Sequence, residues 1–243
     1  MSRTVVVTGG AKGIGRAVVH KFAALGDDVI ALGRDEQALR RLEDARTKVC
    51  DVTDEDAVIE TFDEIGSVDV LVNNAGIAES APLAKTTLKS WAEHFDVNVT
   101  GPFLCMRAVV PGMRERGTGA IVTVASTAGR IGVPYTSAYT ASKHGAVGLT
   151  RAVASELAGS GVRVNAVCPT FVRTDLTSRA IARIVETTGR SEAESEAALA
   201  KQSPLGRLLE PEEVADAVVF LASPASEAIN GQALVIDGGG IQA

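Results

Sequence analysis

Seven short apolar runs punctuate the chain, and none shows a clean alternation of polar and apolar positions. They lie at Val5–Thr8, Asp28–Leu32, Thr47–Cys50, Val68–Val72, Ala120–Val124, Val162–Val167 and Ala233–Ile236. Each is rich in β-branched residues, as a strand covered on both faces reads. The segments between them carry helical signals. Gly15–Leu25 predicts a helix after the first run. Glu210-Pro211-Glu212-Glu213 supplies the proline and acids that open a helix running to near Ala222. Strand and helix alternating at this length predict right-handed crossovers and a doubly wound parallel α/β sheet of the Rossmann type, with helices on both faces. No repeat or linker interrupts the pattern, so residues 1–243 read as a single domain.

One stretch departs from the alternation. From Thr177 to about residue 203 the sequence adds helix without a strand, with Ala180, Ile181, Ile184 and Val185 on one helical face and an acidic, alanine-rich Ser191–Ala200 after it. It is either a surface hairpin or a lid over a substrate cleft. Long excursions in compact domains tend to carry binding roles, which favours the lid over 177–203.

Composition narrows the function classes. Only 4% of residues are aromatic, so Val, Ala, Leu and Ile must supply the core. A net charge of -6 argues against a broad basic surface for nucleic acid or anionic lipid. Cys50, Cys105 and Cys168 are widely spaced and read as reduced thiols. His20, His94 and His144 lack ligand spacing, so no metal site is expected. No stretch has the length of a membrane span or the form of a signal peptide, and the expectation is a cytoplasmic protein.

The first strand runs directly into Thr8-Gly9-Gly10-Ala11-Lys12-Gly13-Ile14-Gly15, which also opens the first helix. Glycines there permit a tight turn and let the backbone approach a pyrophosphate held by the free N–H groups of the helix start. Gly9, Lys12, Gly13, Ile14 and Gly15 are therefore candidate dinucleotide contacts. At the end of the second strand an acid would receive a ribose 2′-hydroxyl, whereas an arginine suits a 2′-phosphate. The chain has Gly33-Arg34-Asp35, and Lys12 adds a second cation. The two cations favour NADP. Asp35 keeps NAD open, although it also suits a helix cap.

Tyr139-Thr140-Ala141-Ser142-Lys143 places a phenol and an ammonium four residues apart, on one face of a helix. Tyrosine is a weak acid–base at neutral pH, and a fixed ammonium nearby would lower its pKa and fit it for moving a proton. Ser126 follows the strand Ala120–Val124, at the carboxyl end where ligands of such sheets bind. Tyr135 lacks a lysine four residues on, and His144 faces away from the Tyr–Lys side; neither is chosen.

The glycine turn, Asn73-Asn74-Ala75-Gly76, Ser126 and Tyr139…Lys143, in this order, resemble the short-chain dehydrogenase/reductase family from Thr4 to Gly239. The resemblance implies catalytic Asn98, Ser126, Tyr139 and Lys143, with Tyr139 and Lys143 also contacting the cofactor. Ser126 would hold the substrate oxygen, and Asn98 would help relay protons through water to the lysine. It also implies that Asp51 and Val52 contact adenine and that Asn74, Ala75 and Gly76 line the adenine-side ribose and support the central strand. Pro169, Val172 and Thr174 would bracket the nicotinamide end, where Thr170 stands in place of the family's usual glycine.

Val124–Gly129, Ser142–Gly145 and Asn165–Pro169 are similar to bacterial reductases of β-ketoacyl chains and aromatic polyketides, although Ile77-Ala78-Glu79-Ser80 replaces the proline–glycine–glycine of some polyketide reductases. The expected reaction is NADPH-dependent reduction of a ketone, of β-ketoacyl or polyketide type. Arg173, Arg179 and Arg183 are either a solvated helix face or a receptor for the phosphates of a thioester-linked substrate. Two alternatives stand: NAD-dependent oxidation of a secondary alcohol or 3-hydroxyacyl substrate, and an NADP-sensing regulator. The resemblance further implies a homodimer or homotetramer.

Overall fold

The computed structural model describes residues 2–242. Seven parallel strands form one sheet in the order β3-β2-β1-β4-β5-β6-β7. They are β1 (Thr4–Thr8), β2 (Asp28–Gly33), β3 (Arg46–Val49), β4 (Val70–Asn73), β5 (Gly119–Val124), β6 (Val162–Pro169) and β7 (Ala233–Ile236). The helices are α1 (Gly13–Ala24), α2 (Glu36–Leu39), α3 (Glu55–Ile65), α4 (Leu88–Phe95), α5 (Gly101–Arg116), α6 (Ser137–Glu156), α7 (Asp175–Thr188), α8 (Glu192–Ala200) and α9 (Pro211–Leu221). No helix among the described residues is long and apolar enough to cross a membrane.

Both faces of the sheet are covered, which is why the central strands show no polar alternation. Val5, Val7, Val29, Ala31, Val70, Val72 and Val122 pack under α1, α2 and α9. The intervening Val6, Ile30, Leu71 and Ile121 face the other way, under α3, α5 and the end of α6. The first edge differs from expectation: β3 is mostly exposed, with Val49 58% accessible, because it has a neighbour only in β2. Two strand boundaries move by two residues. β4 begins at Val70, two residues later than its apolar run, and Asp69 just before it accepts the Thr4 N–H through its carboxylate while its own backbone N–H donates to the Thr4 carbonyl. β6 runs on to Pro169, paired with Ile236 of β7.

The order of the sheet reverses at β1, which pairs with β2 on one side and β4 on the other. The crevice at the carboxyl ends of β1 and β4 is the place such a sheet offers to a ligand. The expected insertion is α7 and α8, which pack on each other through Ile181 and Leu199, with Leu208, Phe171, Ile184 and Val185 around them.

Close backbone approach fixes one turn far from that crevice. Gly161 has φ +82°, and a Cβ on it would lie 2.0 Å from the Gly117 carbonyl oxygen. Gly161→Ala should lower the free energy of unfolding by about 1–3 kcal/mol from the backbone conformation alone, with the collision adding to it. Urea denaturation measures this, and an unchanged midpoint would contradict the geometry.

Candidate active site

The floor of the crevice is a clamp between two strand ends. The Thr8 hydroxyl accepts the N–H groups of Asn74 and Ala75, both at 3.0 Å. The Asn74 amide reaches back to donate to the carbonyls of Thr8 and Gly9, also at 3.0 Å. This holds the glycine turn against the end of β4. Gly9 and Gly13 have φ of +64° and +51°, which favours glycine at both positions. A Cβ on Gly15 would come within 2.2 Å of the Gly9 carbonyl oxygen, so Gly15 serves the turn from behind. The helix start at Lys12 has no side-chain cap, and the first turn of α1 contains no acid. Its N–H groups are thus left for an anion, and the turn fits a dinucleotide pyrophosphate.

The two cations near the end of β2 are each held by a carboxylate. Lys12 Nζ lies 2.6 Å from Asp35, and Arg34 lies 3.5 Å from Asp51. Asp35 does two things at once, because it also caps α2 through the Ala38 N–H. Its hydrogen bond to Lys12, with help from that N–H, holds its pKa below the ordinary carboxylate value. Asp51 is pushed up by partial burial, but hydrogen bonds from the Thr53 backbone and hydroxyl, with Arg34 beside it, bring it below the ordinary value. Val52 is buried against Gly101.

A cavity of about 1330 Å³ runs from this end past the end of β5. Gly9, Lys12, Gly13, Ile14 and Arg34 line its start. Asn74–Ser80, Ser126, Tyr139, Lys143, Pro169, Val172 and Thr174 line its middle, and Thr177, Arg179 and Arg183 its far wall. Of the expected cofactor contacts, Gly15, Asp51 and Val52 lie outside this lining, whereas Thr53 belongs to it.

Ser126, Tyr139 and Lys143 come together at the end of β5. Ser126 hydrogen-bonds the Tyr139 phenol and also accepts the Ala128 N–H at 3.1 Å, so it caps the turn as well. Lys143, 5% exposed, donates to the Val124 carbonyl at 2.9 Å, and its Nζ lies 5.8 Å from the centre of the Tyr139 ring. The electrostatics differ from the sequence expectation. Burial raises the Tyr139 pKa, partly opposed by the Ser126 hydrogen bond, and burial lowers that of Lys143 to about 8. The ammonium is aimed at a carbonyl and is itself desolvated, so loss of water outweighs the attraction expected between the pair.

Asn98 sits in a π-helical turn, Asp96–Thr100, between α4 and α5, and is 1% exposed. Its amide accepts the Ile77 N–H and donates to the Ile77 carbonyl and the Ser142 hydroxyl, all at 3.0 Å. The side chain therefore ties Ile77 to Ser142 of α6. A Cβ on Gly76 would lie 3.2 Å from Asn98 Oδ1 and 3.5 Å from Lys143 Nζ, so glycine keeps the space between amide and ammonium open.

Beyond these three side chains, Thr174 caps α7 and Val172 bridges to Leu209. Arg173 is already held by Glu196 and Glu210, whereas Arg179 and Arg183 face the cavity. Two supporting residues went unnoticed in the sequence: Thr8, a strand-end hydroxyl of no distinctive spacing, and Ser142, hidden inside the Tyr–Lys interval.

Comparison with known proteins agrees with this geometry. The model of the family described as enoyl-(acyl carrier protein) reductase matches residues 9–240. The chain is 41% identical to cis-4-hydroxycyclohexanecarboxylate dehydrogenase of Sinomonas cyclohexanicum, over 98% of this chain and 96% of that one. It is 39% identical to the 3-oxoacyl-[acyl-carrier-protein] reductase of Thermotoga maritima, over 98% and 97%. The solved structure of a single-residue variant of actinorhodin polyketide ketoreductase with NADPH superposes with a TM-score of 0.92 at 36% identity, covering 98% and 97% of the two chains. The chain belongs to the short-chain dehydrogenase/reductase family and is an oxidoreductase acting between CH–OH and C=O.

Proposed function

We propose that this oxidoreductase uses NADPH to reduce a ketone of β-ketoacyl, polyketide or cyclic type to a secondary alcohol. The observation that carries the reading is one continuous cavity with Lys12 and Arg34 at one end and Ser126, Tyr139 and Lys143 further along. Bound nicotinamide supplies the hydride. The chain's own residues do the rest. Ser126 donates its hydroxyl proton in a hydrogen bond to the substrate oxygen and holds it beside the phenol. Tyr139, its pKa raised by burial, is protonated at neutral pH and gives its proton to the oxygen as charge develops there. Lys143 lies next to the ring and steadies the phenolate left behind. Asn98 and Gly76 keep the space around the lysine in shape.

Lys12 and Arg34 suit the 2′-phosphate, which would replace Asp35 and Asp51 as their partner, and Pro169, Val172 and Thr174 suit the nicotinamide side. The segment 177–203 serves as the substrate lid, with Arg179 and Arg183 turned to an anionic part of the substrate. The protein works in the cytoplasm as a homodimer or homotetramer. A second reading, NAD-linked oxidation of a secondary alcohol, draws its support from Asp35 and Asp51, carboxylates that already occupy the two cations.

Cofactor titrations separate the two readings. NADPH should bind more tightly than NADH, and Arg34→Ala should weaken NADPH about 10- to 100-fold while leaving NADH nearly unchanged. A preference for NADH that ignores the substitution would overturn the NADP assignment. Tyr139→Phe should slow reduction of 4-oxocyclohexanecarboxylate or acetoacetyl-CoA by at least about 100-fold with NADPH affinity retained. Full turnover in that variant would refute its role.

Lys143 links activity to stability. Below about pH 8 its ammonium is charged in both the folded and unfolded states, and the whole cost of burying it is felt. Between that value and the ordinary 10.5 the folded chain has released a proton that the unfolded chain keeps, so this penalty fades as pH rises. Lys143→Met should lose activity yet match or exceed the wild-type Tm at neutral pH, and the wild type should gain on it as pH rises from about 8 toward 10.5. Thermal scans at several pH values test this, and a Tm gap constant with pH would contradict it.

A further inference from the structure

The His94 side chain is 1% exposed and hydrogen-bonded at both ring nitrogens. Nδ1 lies 2.7 Å from the Ser90 carbonyl one turn back along α4, and Nε2 lies 3.0 Å from the Glu79 backbone nitrogen. A carbonyl only accepts and a peptide N–H only donates. The two bonds therefore fix a neutral ring with its proton on Nδ1 and its lone pair on Nε2.

One turn further on, Asn98 holds Ile77 through both its N–H and its carbonyl. His94 and Asn98, four residues apart, thus share one face of the helix and pin alternate residues, 77 and 79, of the loop after β4. They take the place of a neighbouring strand for a segment that has none. The Glu79 carboxylate adds a third tie by accepting the Ser90 hydroxyl at 3.2 Å. Residues 77–80 line the cavity on the substrate side. The imidazole also meets the Tyr139 ring edge to face, with centroids 6.4 Å apart and planes at 74°.

We propose that His94 is a positioning residue, a buried neutral imidazole that sets the path of residues 77–80 along the substrate cleft and backs the ring of Tyr139. An apolar side chain of similar size would fill the space but leave the Glu79 N–H without its acceptor. The effect on turnover rests on Tyr139 being the proton donor; the effect on the loop does not.

The test compares His94→Leu with His94→Gln, which retains an acceptor at about the reach of Nε2. Hydrogen exchange is followed in the peptide covering 77–81 with NADPH bound, and KM and kcat are measured with 4-oxocyclohexanecarboxylate. The leucine variant should bind NADPH as the wild type does, exchange this peptide about tenfold faster or more, and show a KM raised by a similar factor, with glutamine restoring much of both. Wild-type exchange in the leucine variant, or equal losses in the two variants, would reduce His94 to packing and overturn the proposal. Nitrogen NMR of the wild-type imidazole needs no variant. A proton on Nδ1 is expected, and a proton on Nε2 would overturn the proposal even if His94→Leu failed to fold. Full activity in Tyr139→Phe would instead strike at the reading of the tyrosine and leave the exchange result standing.

Discussion

The hydroxyl of Thr8 accepts two successive backbone N–H groups at the end of a different strand, and the Asn74 amide returns the contact to two carbonyls. These four bonds fasten the end of β1 to the end of β4 at the place where the strand order reverses. A parallel sheet pairs its strands along their length but leaves the carboxyl ends free to splay. Here the glycine turn on one side and the start of the Asn74–Ser80 segment on the other are set relative to each other. Every later part of the site is built on that fixed width.

The electrostatic arrangement uses two opposite strategies. At the outer end, charges stay in contact with water and with counter-charges, so Lys12 and Arg34 are positioned at little cost in desolvation. At the inner end, Lys143 is nearly dry and is satisfied by a carbonyl, with its ionised form penalised as a result. The outer end is suited to recognition and the inner to chemistry, where a low surrounding dielectric makes each charge count for more.

Much of this was legible in the residues. The central strands showed themselves because coverage of both faces removes polar positions from them, and the Tyr139–Lys143 spacing announced a shared helix face. The glycine turn was visible because it stands directly between a strand and a helix. What escaped notice depends on long-range geometry. Thr8 meets Asn74 across 66 residues, and His94 meets Glu79 across a loop, so neither pair leaves a period in the sequence. The direction of the Tyr139 shift was also out of reach, since it depends on how much water burial removes, which spacing alone does not report. Asp51 looked free to receive a ligand because its bonds to Thr53, only two residues away, are made by a turn.

The insertion is attached to the body of the protein through the chain's last turns. The Ser203 hydroxyl donates to the Asp237 carbonyl at 2.7 Å, and the Asp237 carboxylate receives the N–H groups of Gly239 and Ile241. Any side chain on Gly238 would run into Leu205, and one on Gly240 would press on Pro204. The excursion after β6 and the tail after β7 are thus two halves of one module, interlocked although some thirty residues separate them. Transplanting this module between relatives would require both halves to travel together, while the sheet stays behind as a common chassis.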